Sequence, residues 1–417
     1  MSLYSYLLEY NRYLNLVGIA VIIGIAYVCS RHKKKINHKL VRNALAMQFV
    51  IAFLALKTSG GQYFLQALSN GVGYLYKYAS EGINFLFGNL ANGAQTPWGV
   101  VFAIQILPMI IFFGAFTALL FHLGVVQRIV GGLGIVVRPI LGTTGAETLC
   151  AISNSFLGQT EAPLLIRNYL KNMTKSELLV VMVSGMGTIS GSILAIYASM
   201  GAPIKSLLTA SVMAIPATIM IAKILLPETE DVEKEDGKVS FEHSSSNVFD
   251  AIATGTSDGL QLALNVGAML LAFIALMAML NGILGGTCTY LNSYGFNVPC
   301  LTLDVVFAKL FYPFAYLLGF TGTDATQVAE LLGTKVAINE FLAYYKMVDM
   351  HLPARVQELT TYALCGFSNF SCIGIQVGGI GALVPEKRQW LTELGLTAVL
   401  GGALSNLLTA MVAGLFI

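Results

Sequence analysis

From Trp98 to Val126 the chain carries no Asp, Glu, Lys or Arg. About 20 apolar residues cover the hydrocarbon of a bilayer, so this run is long enough to cross one. Inside lipid no water satisfies a free N–H or C=O, which leaves only helices and closed barrels as spanning structures. The run has company: hydrophobic residues make up 56% of the 417, and charged residues only 11%. Soluble domains carry about 25% charged residues. The reading is an all-α membrane protein, to be counted in helices and not in soluble domains.

The remaining charges set the topology. Leu14 to Cys29 is apolar, with Glu9 before it and Arg31, His32, Lys33, Lys34 and Lys35 after it. A signal peptide has the opposite order, so this segment reads as an uncleaved anchor. Positive charge stays in the cytoplasm, which puts the N-terminus outside. Val41 to Leu56 returns outward. Residues 59–97 are too interrupted for a clean span; YLYKYASEGINFLFGNL has aromatics on one side, as in an interfacial helix, with an ordinary outer loop as the alternative. Arg128 and Arg138 mark the inner side after the Trp98–Val126 span. GGLGIVVRPILGTTG at 131–145 reads as a short bent helix and turn, not a phosphate loop, because it lacks the GK[ST] ending.

Further on, Leu178 to Met200 crosses outward and Leu207 to Leu226 crosses back. The charged stretch 227–247 is a solvated cytoplasmic connector. Leu260 to Leu284 crosses outward. Val305 to Phe320 either crosses inward or pairs with the next segment. Leu359 to Val384 crosses inward to Lys387 and Arg388, and Leu394 to Ile417 leaves the C-terminus outside. Cys288 and Cys300 fall on the oxidising side, where a disulfide and two free thiols are both open. The six cysteines include no CxxC pair, so zinc and haem have nothing to bind. A net charge of +2 gives no sign of a nucleic-acid partner.

Two segments are too polar for lipid. NSFLGQTEAP at 154–163 brings Asn154, Gln159, Thr160 and Glu161 into apolar surroundings, where a carboxylate is costly unless paired, hydrogen-bonded or wet. It lies in Ala146–Ser176, two short apolar pieces flanked by inner-side basic charge, which reads as a hairpin entering from the cytoplasm. Residues 324–350 hold Asp324, Glu330, Lys335, Glu340, Lys346 and Asp349 and read as a second hairpin, entering from outside. Each is followed by an apolar segment broken by small and hydroxylated residues: SGMGTISGS at 184–192 and CGFSNFSC at 365–372. That order makes an inverted repeat, an architecture that places transport sites at the membrane midplane. The chain divides into a scaffold part at 1–143, a first hairpin and broken-helix repeat at 144–258, a scaffold span and outer loop at 259–316, and a second hairpin and broken-helix repeat at 317–417. About eight transmembrane helices, two re-entrant hairpins and an interfacial helix result.

GQTEAPL at 158–164, NEF at 339–341, CGFSNFS at 365–371 and GLQLALNVGAML at 259–270 together resemble the concentrative nucleoside transporters, from about residue 15 to the end. The resemblance implies a bacterial inner-membrane homotrimer that takes up nucleosides, driven by sodium or protons, with no other cofactor and no enzymatic activity. By position, Gln159, Thr160 and Glu161 resemble the family's contacts to the base. Glu340, Asn369, Ser371 and Cys372 resemble its ribose clamp. Phe367 and Leu262 are similar to residues that pack on the base, and Ile193 to a pocket-lining aliphatic residue. Asn154, Leu157, Thr188 and Ile189 match the sodium site, positions 157 and 189 through their carbonyls.

Physical chemistry agrees with this carry-over. One carboxylate can accept both vicinal hydroxyls of a ribose, and a site built for them rejects analogues that lack them. Sodium prefers hard oxygen ligands. Cys372 stands where relatives often have a Ser, and Thr188 keeps the hydroxyl of a Ser common there. Proton-coupled relatives tend to lose the amide at the position of Asn154, so the resemblance favours sodium over protons.

The rivals are a proton-coupled nucleoside transporter, a passive channel and an intramembrane hydrolase using Glu161 and Glu340; the last lacks HExxH and a base for Ser190 or Ser192. Without the motifs, Gln159, Thr160 and Asn369 would read as interhelical glue. Gln261, Asn265 and Asn406 read as structural, and His122 as a satisfied bundle histidine.

Overall fold

The computed structural model describes residues 3–91, 101–230, 245–296, 299 and 301–417; among them there are helices and no strands. A short α1 (Leu3–Leu8) leads into α2 (Arg12–Val28), and α3 (His38–Lys57) follows the basic cluster. Asn37 starts α3 by accepting from Lys39 N and Leu40 N with its side chain. The segment read as too interrupted for a clean span is, among the described residues, not one of the helices apolar enough to cross, yet it is one continuous helix, α4 (Ser59–Phe87), started by Thr58. Its glycines do not break it, and it exposes Tyr63, Phe64, Tyr74, Tyr78 and Phe85. The next apolar span is α5 (Phe102–Gln105) with α6 (Leu107–His122); its expected start at Trp98 lies outside the described residues.

From α6 onward one order of elements occurs twice. The first pass runs α6, α7 (Val125–Leu141), α8 (Gly145–Asn154), the single-turn α9 (Ala162–Leu165) and α10 (Arg167–Leu170), α11 (Lys175–Gly187), α12 (Gly191–Met200) and α13 (Ile204–Leu225). The second runs α14 (Val248–Ser293), α15 (Leu303–Leu317), α16 (Gly322–Ala337), α17 (Glu340–Asp349), α18 (Ala354–Leu364), α19 (Ser371–Leu383) and α20 (Arg388–Gly414). In each pass a long helix is followed by a second helix, a helix–tip–helix segment, an apolar segment broken in its middle and a closing span. Capping explains several starts. Thr144 with Glu147, and Thr174 with Glu177, form reciprocal capping boxes at the N-termini of α8 and α11, which satisfies otherwise orphaned N–H groups.

Two expectations are corrected and two are made definite. Residues 131–145 are not a short bent helix: α7 is continuous, carries Pro139 in its last turn and ends at Gly142, whose φ is +69°. The α14 helix runs well beyond Leu260–Leu284; at 1.5 Å per residue its 46 residues reach about 69 Å, against about 30 Å of hydrocarbon. Val305–Phe320 pairs with the segment after it, since α15 turns by 114° into α16. Leu359–Val384 is broken at 365–370, as its small and hydroxylated residues led one to expect, into two helices, α18 and α19, neither long enough to span alone. Among the described residues seven helices are long and apolar enough to cross a membrane, or eight if the bent pair counts as one. Cys288 is disulfide-bonded; Cys300 lies outside the described residues.

The helices form an inner and an outer set. The spans at Lys175–Met200 and Ile204–Leu225 are 89% buried, while those at Phe102–His122 and Val248–Ser293 are 11% buried. The inner set, α11, α13, α18 and α20, packs mutually and buries the main apolar core. In the outer set α6 packs along α14, and the two backbones meet at glycines. A Cβ on Gly259 would stand 2.8 Å from Ile111 Cα, and one on Gly114 would stand 2.7 Å from Gly255 O. Small residues allow such close helix approach in membranes.

Candidate functional site

Both broken segments lose their helix inside the inner set. The α11 helix stops at Gly187, residues 188–190 are non-helical, and Ser190 restarts the chain by accepting Ile193 N at 3.3 Å. The α18 helix stops at Leu364, and α19 begins at Ser371. The breaks touch: Phe367 N donates to Thr188 O at 3.3 Å. A broken helix frees backbone groups that lipid cannot satisfy, so something in the protein or its cargo must.

At the first break these free groups are oxygens. Asn154, the last residue of α8, is fully buried. Its amide nitrogen donates to Ser184 Oγ at 2.9 Å, while its Oδ1 has no hydrogen-bond partner. Thr188 Oγ1 directs its proton towards Ser184 O at 2.7 Å and Asn154 O at 3.1 Å, which leaves its lone pairs uncommitted. Leu157 and Ile189 are both buried, and among the described residues their carbonyls accept no backbone hydrogen bond. A buried acceptor left without a donor costs about 1–3 kcal/mol. Asn154 Oδ1, Thr188 Oγ1 and the two carbonyls are a donor set of the kind a hard monovalent cation takes, so these residues fit sodium.

Beside this pocket runs a hydrogen-bonded seam. Tyr197 OH donates to Glu340 Oε1 at 2.9 Å, and Asn369 Nδ2 donates to Glu340 Oε2 at 3.0 Å. Asn369 Oδ1 accepts from Ser371 Oγ at 2.6 Å and from Cys372 N at 3.0 Å. Gln159 Nε2 reaches Cys372 Sγ at 3.2 Å, and Gln159 Oε1 accepts from Gln376 Nε2 at 3.1 Å. Gly185 leaves the space for this meeting, since a Cβ there would lie 2.7 Å from Gln376 Nε2 and 2.9 Å from Gln159 Cβ. The tip after α8, the start of α17 and the start of α19 therefore share one polar chain.

The other expected site residues surround it. Glu340 and Gln159 are buried, whereas Thr160 and Glu161 are exposed. Thr160 Cγ2 lies 3.3 Å from where a Cβ on Gly379 of α19 would stand. Glu161 has no ion pair among the described residues; the charge acting on it is Asp258 of α14. Leu262, one turn beyond Asp258, is half-buried and packs on the main core, as does Phe367; Ile193 is buried within it. Glu161 is thus outside the hydrogen-bonded seam that joins Gln159 to Glu340.

Sequence reasoning missed Tyr197, Ser184, Gln376 and Lys335, and left Asn406 as structural. Asn406 bridges the two breaks: its Nδ2 donates to Gly187 O at 2.7 Å and Cys365 O at 2.8 Å. Its Oδ1 accepts Lys335 Nζ at 2.6 Å, and the same Nζ donates to Ala363 O at 2.8 Å. The available signal was polarity: Gln376, Lys335 and Asn406 each interrupt apolar surroundings, where such residues mark function by default.

A multi-pass helical protein with a doubled arrangement of broken spans, and polar groups gathered at the breaks, has the architecture of a membrane transporter. Family models for the N-terminus and C-terminus of Na+ dependent nucleoside transporters match residues 17–90 and 206–414, and a nucleoside-recognition gate model matches 103–204. The chain belongs to the concentrative, Na+-dependent nucleoside transporter family. It is 39% identical over 418 residues to the nucleoside permease NupC of Helicobacter pylori, covering 98% of each chain. It is 34% identical over 424 residues to human sodium/nucleoside cotransporter 1, covering 97% of this chain and 64% of that one. The structure of CNTnw in an inward-facing substrate-bound state superposes with a TM-score of 0.89 at 39% identity, over 97% of both chains. A variant of CNTnw in an outward-facing state gives 0.91 at 39% identity, again over 97% of both.

Proposed function

We propose that this chain is a sodium-coupled symporter that brings nucleosides of the uridine type into the cell by alternating access. The observation that carries the reading is the state of Glu340. It is a buried carboxylate with no cation in ion-pair contact among the described residues, held by one donor on each oxygen. A carboxylate has about four acceptor positions, so roughly half of its capacity remains for the two vicinal hydroxyls of a ribose.

In this reading Glu340, Asn369 and Ser371 hold the sugar, and Cys372, whose sulfur already meets Gln159, supports the clamp. Gln159, Thr160 and Glu161 face the base, with Phe367, Leu262 and Ile193 packing against its faces. Sodium sits among Asn154 Oδ1, Leu157 O, Thr188 Oγ1 and Ile189 O. Its charge satisfies the buried Asn154 oxygen that otherwise lacks a donor, which links ion binding to the closure of the first break.

The helix–tip–helix segments act as re-entrant hairpins from opposite faces, within the division 1–143, 144–258, 259–316 and 317–417. The protein works as a homotrimer in a bacterial inner membrane with both termini outside; the basic residues at 31–35 and 387–388 supply the inner-side charge. Radiolabelled uridine uptake into proteoliposomes tests the reading. An inward sodium gradient should drive accumulation; accumulation that follows only a proton gradient, or flux that never saturates, would overturn it.

A further inference from the structure

The turn between α2 and α3 plays no part in the transport reading beyond setting its orientation. Arg31, His32, Lys33, Lys34 and Lys35 follow one another there, all exposed. Together with Ser30 they line a cavity of about 360 Å³. It lies against the end of α13, because Arg31 N donates to Leu225 O at 3.0 Å.

The charge of this cavity is uncompensated. Among the described residues none of Arg31, Lys33, Lys34 and Lys35 forms an ion pair with a carboxylate. Glu393 of α20, whose charge reaches Arg31, is already bonded to Lys175 at 2.9 Å. Ser30 adds a hydroxyl: it is 8% exposed and its Oγ has no hydrogen-bond partner. A buried hydroxyl without an acceptor is costly, and one in the wall of a cationic cavity is free to donate to an anion. Apolar surface lies alongside. Tyr27 and Val28, in the last turn of α2, are 45% and 68% exposed, and Lys33 Nζ stands 5.9 Å from the centre of the Tyr27 ring. Positive charge that only orients a helix needs neither a cavity nor a buried hydroxyl. A basic pocket at the end of a span, edged by exposed apolar side chains, matches the two parts of a phospholipid.

We propose that this turn binds the phosphate headgroup of an anionic phospholipid. The Arg31 guanidinium and the ammonium groups of Lys33, Lys34 and Lys35 neutralise the phosphate, and the Ser30 hydroxyl donates to one of its oxygens. The acyl chains run along Tyr27 and Val28. The site shares no residue with the sodium and nucleoside places, so it stands or falls apart from the symport reading.

Native mass spectrometry of the detergent-purified protein tests it, by titration with phosphatidylglycerol, phosphatidylcholine or inorganic phosphate. One phosphatidylglycerol per chain should stay bound, about tenfold or more tighter than phosphatidylcholine, and inorganic phosphate should not displace it. Equal retention of the two lipids, or displacement by inorganic phosphate, overturns the proposal. A combined Lys33→Gln, Lys34→Gln and Lys35→Gln variant, altered at three exposed positions, should bind phosphatidylglycerol about 100-fold more weakly, at about fivefold per charge. Ser30→Ala should weaken binding about fivefold, while the lipid-free protein keeps its unfolding temperature because the hydroxyl has no partner there. Unchanged phosphatidylglycerol affinity in Ser30→Ala would mean diffuse surface charge and no built site, which overturns the proposal. If the triple variant does not fold, Ser30→Ala and the comparison of lipids decide.

Discussion

Where α8 ends, a buried amide oxygen waits for a donor; where α16 ends, an amide oxygen already has one in Lys335. Around the first break the polar groups are Asn154, Ser184 and Thr188, all neutral. Around the second they are Lys335, Glu340, Asn369 and Asn406, two of them charged. In the proposed reading a duplicated backbone plan serves two chemistries. One half is a neutral oxygen cage suited to an ion that arrives and leaves, and the other is a charged clamp suited to a neutral sugar.

Four substitutions test that contrast. Glu340→Ala removes the acceptor shared by Tyr197 and Asn369, and uridine affinity should fall by about 100-fold or more, since two buried donors lose their partner. Equilibrium binding measures it, and an unchanged affinity would refute the sugar-clamp role. Asn154→Ala removes the unpartnered oxygen of the first half. Half-saturation by sodium should rise about tenfold, or about 1.4 kcal/mol, while uptake at saturating sodium is largely retained. A superimposable sodium activation curve would mean that the ion lies elsewhere.

Tyr197→Phe deletes one hydrogen bond to Glu340 and keeps the ring stacked on Tyr344, with centroids 4.1 Å apart. Uridine affinity should fall about fivefold, about 1 kcal/mol, with the sodium curve in place; a sodium shift of equal size would erase the division between the halves. Thr188→Ser retains the hydroxyl, so sodium half-saturation should move by less than about twofold. A larger effect would show that the methyl, and not the oxygen, matters there.

The apolar runs made the inner spans legible, because Leu178–Met200 and Leu207–Leu226 differ by only a few residues from the helical extents Lys175–Met200 and Ile204–Leu225. They could not reveal the length of α14. Its ends leave the apolar stretch while still hydrogen-bonded as helix, and hydropathy reports lipid contact, not backbone continuity. The same limit hid α4, where Gly60, Gly61, Gly71 and Gly73 read as interruptions but sit within one helix.

In the candidate site, motif order located Gln159, Glu340 and Asn369, which share one seam. Tyr197 was lost in AIYASM because one tyrosine in an apolar helix is ordinary packing until its hydroxyl is seen to meet a carboxylate. Lys335 was legible as a charge but not as a buried one. Burial depends on which face of α16 meets α18 and α20, and no local pattern states that.

The glycine contact between α6 and α14 has a consequence of its own. These helices begin the two halves of the duplication, and at their crossing there is no room for a single methyl group on Gly114 or Gly259. A bulky residue there would wedge apart the posts on which both halves hang and leave the seam's residues chemically intact. Such a lesion would betray itself as failed assembly in the membrane, with cargo selectivity unaltered in whatever fraction still matures.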